Sequence, residues 1–338
     1  MKRRLAILAA ALTVALAGCS GTAGRPAQDV PRASGGGSAA LFPVTVDDAF
    51  GTTTVPSAPR RVVTWGRGAT DAAIALGVLP VAIPYQPGGA QGVLPWVRDA
   101  VEGMGAALPT VLPDTGTSVP YDAIRAARPD LILAPYSGLT EEQDTRLSAI
   151  APVVAYPDQP WSTPWRDIVT ITGRALGRPG KAREVLVGID QEITRAREAH
   201  PEFAGLTLAA VQDTGTGLSV YPASAPRMQI MLDLGFRSAP SVQALGTDET
   251  ASHTTLSHER LAELTSDVLV LYASDAAEAA AFLAAPSSQV MPQVTHGAVA
   301  ELVGSDVVAS VSPPTALSLT WGLDRTVHAL AQAAAAAG

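Results

Sequence analysis

Two acidic residues stand at matching places in a segment that occurs twice in this chain. Asp122 is followed by an apolar residue two positions later and by Asp130, and Glu259 is followed in the same way by Asp267. The offset is constant, because 259 − 122 and 267 − 130 both give 137, and an apolar run follows each second acid. The repeat predicts two lobes built alike, each presenting one carboxylate in the same position. The alternative is coincidence, since short helix-to-strand units look alike in many folds.

The other reactive residue types form no catalytic or metal-binding pattern. A zinc or manganese site would need several histidines and a carboxylate that converge on the metal, whereas the histidines here are scattered. The sequence contains no Gly-x-Ser-x-Gly elbow, no Ser-x-x-Lys pair and no phosphate-binding glycine loop. We therefore expect no side-chain metal site and no enzyme; the alternative from another class is a secreted hydrolase. The histidines are His200, His253, His258, His296 and His328.

The first residues have the pattern of a lipoprotein signal peptide. A basic start at residues 2–4 precedes an apolar stretch at residues 5–16, and small residues then lead to Cys19. Cys19 is the only cysteine of the chain and stands where such a signal supplies the acylated thiol. Residues 1–18 are therefore predicted to be removed and Cys19 to carry a lipid. The alternative is an ordinary signal peptide that happens to contain a cysteine.

Length, composition and charge narrow the possible classes of protein further. Residues 19–41 are small and polar, which predicts a flexible stalk. Removing 18 residues from 338 leaves 320, more than single cores usually reach, so two lobes are expected. The formal charge of −8 becomes −11 without the three cationic signal residues, and no basic run follows. This charge argues against nucleic acid as a partner.

The rest of the chain alternates short apolar runs with helical stretches, which is typical of α/β proteins. Residues 62–64 predict a strand, residues 70–76 predict a helix, and Gly177 is predicted to separate two further helices. We predict two Rossmann-like α/β lobes, at residues 42–158 and 206–338. Between them, residues 159–205 have continuous helical periodicity, and the part after Pro179 predicts a helix of about 30 Å at 1.5 Å per residue. This long helix is expected to connect and brace both lobes. The alternative is an ordinary surface helix of one lobe.

Four segments of the predicted body form a recognisable set. They are Pro56 and Pro59 before Arg60-Arg61-Val62-Val63, then residues 70–78, residues 126–133 and residues 314–325. Together they resemble the substrate-binding lipoproteins of iron-siderophore and cobalamin ABC importers. The resemblance covers most of the predicted body, and the order and spacing of the segments make it specific. In that family two α/β lobes are joined by one long helix, and the ligand lies in the cleft between the lobes.

The resemblance also implies a role for the repeated acids. Proteins of this family present one acidic residue from each lobe to arginines of the two permease subunits. Asp122 and Glu259 match those positions, and such charge-assisted contacts fix orientation as well as adding affinity. The family favours Glu at both positions, so Asp122 is a departure. The alternative is that both acids only stabilise helix starts, and Asp130 and Asp267 are expected to be structural.

A ferric siderophore would need aromatic faces and a few convergent donors at the boundary between the lobes. Aromatic residues near strand ends and two arginines, whose planar donors suit chelate oxygens, are the candidates. The alternatives are core or hinge packing for the aromatic residues and solvent exposure for the arginines. The predicted ligand contacts are Trp65, Arg67, Tyr85, Trp96, Tyr136, Tyr221, Arg227 and Trp321.

The resemblance therefore implies a monomeric binding protein without a cofactor, anchored by lipid to the extracytoplasmic face of the cell membrane. It would capture a ferric siderophore and deliver it to an ABC permease dimer. The alternative ligands for the same fold are cobalamin and haem.

Overall fold

A computed structural model of this chain describes residues 42–113, 118–246 and 253–338. The predicted signal peptide, Cys19 and the predicted stalk lie outside the described residues. Among the residues that are described, no helix has both the length and the apolar character needed to cross a membrane.

The first half of the body alternates short strands with helices, as the sequence pattern predicts. The strand at Val62–Thr64 coincides with the predicted one, and the following helix differs from the prediction by one residue at each end. The elements are β1 Val44–Asp48, β2 Gly51–Val55, β3 Val62–Thr64, α1 Ala69–Ala75, β4 Ala82–Pro84, α2 Pro95–Gly103, β5 Thr110–Leu112, α3 Tyr121–Ala126, β6 Leu131–Leu133, α4 Glu141–Ser148 and β7 Val153–Val154.

Five of these strands form the sheet of the N-terminal lobe, in the order β5-β4-β3-β6-β7, with all neighbours parallel. Strands β3, β4 and β6 are buried at every position, which explains their apolar sequences, because parallel sheets are covered on both faces. The chain leaves β3 toward β4 on one side and later returns to β6 on the other. This reversal of strand order places a topological switch point between β3 and β6.

Two helices and a 3₁₀ turn follow the N-terminal sheet. They are α5 Trp165–Ala175, α6 Pro179–Ala199 and the 3₁₀ turn Pro201–Phe203. Pro179 is favoured at the first position of α6, because a backbone N–H there would have no acceptor within the helix. At 1.5 Å per residue the 21 residues of α6 extend over about 31 Å.

The second half of the body forms another sheet, of mixed direction. The strands at residues 207–213, 268–273 and 299–303 are parallel. The strand at residues 218–220 pairs antiparallel with the first of these, the strand at residues 254–256 pairs antiparallel with the strand at residues 218–220, and the short strand at residues 237–238 pairs with the start of the first. The elements are β8 Thr207–Asp213, β9 Leu218–Val220, α7 Pro226–Asp233, β10 Arg237–Ser238, α8 Pro240–Ala244, β11 Thr254–Leu256, the 3₁₀ turn His258–Glu263, β12 Val268–Ala273, α9 Ala276–Ala284, the 3₁₀ turn Ser288–Val290, α10 Pro292–His296, β13 Val299–Val303, α11 Ser305–Val311 and α12 Ser318–Ala337.

The helices between the sheets contact both lobes. Nη1 of Arg178, just before α6, donates 2.7 Å to the carbonyl of Leu76 at the end of α1. On the other side, Arg166 of α5 forms ion pairs of 2.7 Å with Asp190 on α6 and 3.1 Å with Asp233 on α7. One buried apolar cluster also runs from the N-terminal sheet through α6 to the C-terminal sheet. The arrangement is that of two α/β lobes linked by helices, while the boundaries at 158 and 205 stay predictions.

Candidate ligand-binding site

The loop after β3 and the loop after β6 meet at the switch point of the N-terminal sheet. The backbone N–H of Arg67 donates 3.0 Å to the carbonyl of Tyr136. Gly66 allows this approach, because its φ is 77° and a Cβ there would overlap the Tyr136 carbonyl. In open α/β sheets, ligands bind outside the carboxyl ends of strands at such a point. Arg67 and Tyr136, both predicted ligand contacts, are thus brought together there.

Two exposed aromatic rings lie near this point. Trp161 is 51% exposed and meets the ring of Tyr136 edge to face, with centroids 5.6 Å apart. Its indole covers Gly138, where a Cβ would overlap the ring. Tyr85, which follows β4, is 43% exposed and lies against Gly92. Exposed rings of this kind are available to stack on a bound molecule.

The charge of Arg67 acts on Tyr136. Burial raises the pKa of the Tyr136 hydroxyl above its ordinary value, and the positive charge of Arg67 offsets part of that rise. The hydroxyl is therefore neutral and able to donate near neutral pH. We define Arg67, Tyr85, Tyr136 and Trp161 as the N-terminal group.

A guanidinium held between two tyrosine rings marks the C-terminal lobe. Cζ of Arg227 lies 3.8 Å from the ring centroid of Tyr221 and 4.7 Å from that of Tyr272. The two rings meet edge to face at 5.9 Å, and Nη2 of Arg227 donates to Oγ of Ser312. We define Tyr221, Arg227, Tyr272 and Ser312 as the Arg227 cluster. Stacking on aromatic faces is a favourable position for arginine.

The Arg227 cluster leaves polar atoms without partners. Nη1 of Arg227 and the hydroxyl of Tyr272 are buried and have no hydrogen-bond partner among the described residues, and within the same residues Arg227 forms no ion pair. Burial raises the pKa of both tyrosine hydroxyls, and Arg227 offsets part of each rise. Buried donors without acceptors are costly in a protein interior. The accessible part of the half-buried Arg227 guanidinium is what a bound molecule could reach, because Nη1 and the Tyr272 hydroxyl have no contact with solvent.

Three predicted ligand contacts have internal partners instead. Trp65 is 8% exposed and belongs to a core cluster beneath the N-terminal sheet. Trp96 is 4% exposed, its Nε1 donates 2.6 Å to Oδ1 of Asp71, and its ring lies 5.3 Å from that of Trp321. These contacts give Trp96 and Trp321 a packing role between α2 and α12. Ligand contact by these three tryptophans stays a prediction.

The two repeated acids occupy equivalent positions. Asp122 is the second residue of α3, and Glu259 is the second residue of the 3₁₀ turn His258–Glu263. The Asp122 side chain is fully exposed and forms an ion pair of 2.8 Å with Arg125. Among the described residues Glu259 has no such partner, because the neighbouring Arg260 pairs with Glu263 at 2.7 Å. Both acids are therefore placed where a partner protein could reach them.

No three His, Cys, Asp or Glu side chains come together as a possible metal site in the described part of the chain. The chemistry available is instead hydrogen-bond donation, positive charge and aromatic stacking. Those groups suit a ligand that carries oxygen acceptors and flat or apolar surfaces.

A family comparison fits this geometry. The sequence model of the family described as periplasmic binding protein matches residues 92–303, which is well over half of the chain. The chain belongs to this family. Members of the periplasmic binding protein family bind solutes, which agrees with a site built from donors and aromatic faces rather than from a catalytic set.

Individual relatives of this periplasmic binding protein are known. The probable siderophore-binding lipoprotein YfiY of Bacillus subtilis (strain 168) is 27% identical over 236 residues, which are 68% of each chain. PiaA of Streptococcus pneumoniae TIGR4, solved in complex with ferrichrome, is 30% identical with a TM-score of 0.76, over 87% of this chain and 100% of that one. A periplasmic solute binding protein from Mycobacterium smegmatis str. MC2 155 is 27% identical with a TM-score of 0.74, over 86% and 98% of the two chains.

Besides Trp161 and Ser312, which are not among the predicted contacts, sequence reasoning missed Tyr272 and Asp71 of this periplasmic binding protein. Tyr272 stands inside the apolar run of β12 and reads as core, although its hydroxyl is a polar atom near the carboxyl end of a central strand. Asp71 is 2% exposed, and burial raises its pKa to about 6, while hydrogen bonds from Thr315 and Trp96 partly offset the rise. An acid inside the otherwise uncharged helix α1 was the only available signal for Asp71.

Proposed function

We propose that this chain is the extracytoplasmic binding protein of an ABC importer and captures a ferric siderophore for iron uptake. Family membership supports the binding role. The similarity to a probable siderophore-binding lipoprotein and to a ferrichrome-bound protein supports the ligand class. Cys19 would carry the lipid that holds the protein at the membrane, and the body would work as a monomer.

The observation that carries the proposal is the Arg227 cluster. Its half-buried guanidinium lies against two tyrosine rings and has no carboxylate counterion among the described residues. Hydroxamate, catecholate and carboxylate oxygens of an iron chelate are acceptors that match a planar donor pair. The N-terminal group would supply aromatic faces to the same ligand. The iron arrives already chelated and is cargo, not a resident cofactor.

Delivery would use the two acids. Asp122 and Glu259 would each meet an arginine of one permease subunit, because the lobes present them at equivalent positions. Charge pairs of this kind steer encounter and fix orientation. They lie on α3 and on the 3₁₀ turn His258–Glu263, elements separate from the Arg227 cluster, so docking and ligand binding can be tested apart.

The ligand class is tested by quenching of tryptophan fluorescence in the purified chain. Wild type is titrated with ferrichrome, a ferric catecholate and ferric citrate, and then with cobalamin and haem. We expect saturable quenching by at least one ferric chelate. Arg227→Gln should raise the Kd of that chelate by about tenfold or more, because a hydrogen bond to a charged group contributes roughly 1.5–3 kcal/mol.

Arg237→Gln is the matched control, since Arg237 is an exposed arginine of the same lobe and should leave the Kd unchanged. Circular dichroism checks that both variants fold. Binding of only cobalamin or haem would replace the proposed ligand, and a wild-type Kd in Arg227→Gln would remove Arg227 from the site.

A further inference from the structure

A buried carboxylate joins the two lobes. Asp71 on α1 accepts hydrogen bonds from Trp96 Nε1 on α2 of the N-terminal lobe and from Oγ1 of Thr315, which lies 244 positions later in the sequence, between α11 and α12. Helices α11 and α12 pack on β12 and β13 of the C-terminal sheet. The bond from Thr315 therefore crosses between the lobes.

The segment that carries Thr315 is itself held firmly. The N–H of Thr315 donates 2.9 Å to Oγ of Ser318, the N–H of Ser318 donates 3.1 Å to Oγ1 of Thr315, and Oγ of Ser318 donates 2.6 Å to the carbonyl of Ser310. Beside this network the rings of Trp96 and Trp321 make the apolar part of the same junction. The hydroxyl of Thr315 is thus held in place to donate to the carboxylate of Asp71.

We propose that Asp71 is a positioning residue that latches the lobes together through Thr315, so that separating this bond opens the junction between α1 and the segment before α12. The latch needs no ligand, and only its effect on chelate binding rests on the proposed function. Asp71 also follows Arg67 by four residues, so the latch fixes the loop that carries this one member of the N-terminal group.

The surroundings make Asp71 sensitive to pH. Burial raises its pKa to about 6, and the causes of the shift include no charged neighbour. Charged groups on the elements around it are Arg67 in the preceding loop, Arg98, Asp99 and Glu102 on α2, Arg166, Asp167 and Arg174 on α5, Asp306 on α11, and Asp324, Arg325 and His328 on α12. Among the described residues none of these groups hydrogen-bonds to Asp71.

The sign of the pH effect follows from the two pKa values. An acid with a pKa of about 6 in the closed junction and the ordinary 3.8 when exposed binds its proton more tightly when closed. Protonation therefore favours the latch, and this stabilisation is lost as the pH rises through about 6. Between about pH 5 and about pH 7.5 the opening equilibrium should increase about tenfold.

Hydrogen–deuterium exchange of the ligand-free protein tests this, after correction for the intrinsic pH dependence of exchange. In wild type, protection of residues 69–76 and 311–318 should fall about tenfold from about pH 5 to about pH 7.5. Asp71→Asn keeps an acceptor but cannot ionise, so its protection should be independent of pH. Thr315→Val keeps the side-chain shape and should lower protection at both pH values.

Asp144→Asn is the matched control. Asp144 lies on α4, away from Thr315, and burial together with the charge of Asp48 also raises its pKa to about 6. Its neutralisation should leave exchange at residues 311–318 like that of wild type. An unchanged pH profile in Asp71→Asn, or wild-type protection in Thr315→Val, would overturn the latch. Failure of wild type to bind any ferric chelate would reject the proposed function and leave the exchange result standing.

Discussion

The turn that precedes β6 and the turn that precedes β12 share one structural pattern but differ in the surroundings of their exposed acid. In each, a helical turn with an acid at its second position leads to an aspartate and then to a central strand of its sheet. Oxygen atoms of Asp130 accept from the backbone N–H groups of Arg60 and Arg61 at 2.8 and 2.9 Å. Asp267 accepts from the N–H and the hydroxyl of Thr207, both at 2.7 Å.

Asp130 and Asp267 thus bind the start of the neighbouring strand, which is β3 in one lobe and β8 in the other. The first acids differ. Asp122 is held by Arg125 within a regular α-helix, whereas Glu259 projects from a 3₁₀ turn with no partner among the described residues. The N-terminal turn borders an open groove of about 470 Å³, lined in part by Tyr121 and Arg146. The repeat thus provides the same structural aspartate in both lobes, but it does not fix the electrostatic surroundings of the exposed acid.

The largest expected effect is on the free energy of unfolding, through the hydrogen bonds of Asp130 and Asp267. Asp130→Ala or Asp267→Ala leaves two donors without a charged acceptor, and each should lower the free energy of unfolding by about 1.5–3 kcal/mol. Urea unfolding followed by circular dichroism measures this. Asp130→Asn and Asp267→Asn, which keep an acceptor, should lose less. The equivalence of the two turns would be broken if one alanine variant were as stable as wild type.

The next effect concerns the exposed acids and assumes the proposed permease contact. Glu259→Lys should reduce uptake of radiolabelled ferric siderophore by about tenfold, because a pair of opposite charges becomes a repulsion. Asp122→Lys should reduce it less, by about threefold, since Arg125 already shares that carboxylate. The Kd for the chelate should remain unchanged in both, because neither residue lies in the Arg227 cluster.

Glu263→Lys is the control for that experiment, as this exposed acid of the same turn is occupied by Arg260. It should leave uptake near the wild-type level. A large loss of chelate affinity in Glu259→Lys would place Glu259 in the ligand site and contradict the separation of roles.

Much of the fold was predictable because it depends on local patterns. The strand at Val62–Thr64 is confirmed, as are helices on both sides of Gly177, because apolar periodicity and helix-ending glycine act over a few residues. The expectation that Asp130 and Asp267 are structural fits their hydrogen bonds to the neighbouring strands. Tyr221 and Arg227, predicted separately as ligand contacts, do meet in one cluster.

The rest depends on contacts between distant parts of the chain. Trp96 was predicted as a ligand contact, yet Asp71 and Trp321 bury it, and neither is a sequence neighbour. The bond between Asp71 and Thr315 joins residues 244 positions apart, and no local pattern pairs them. Tyr272 is hidden by its apolar neighbours in β12. Tertiary packing decides which buried polar side chains lack a hydrogen-bond partner, so the sequence alone does not reveal them.

The smallest expected effect sharpens the difference between the two turns. Arg125→Gln releases Asp122 from its ion pair and removes a positive charge beside it, and both changes make the N-terminal contact more attractive to a permease arginine. Docking to the permease in lipid nanodiscs should strengthen by about twofold, since exposed ion pairs contribute little. Arg260→Gln is matched to it, because it frees Glu263 and not Glu259, and should change docking less. Weaker docking of Arg125→Gln would mean that Arg125 itself is part of the contact, and the N-terminal turn would then present a cation where the C-terminal turn presents an acid.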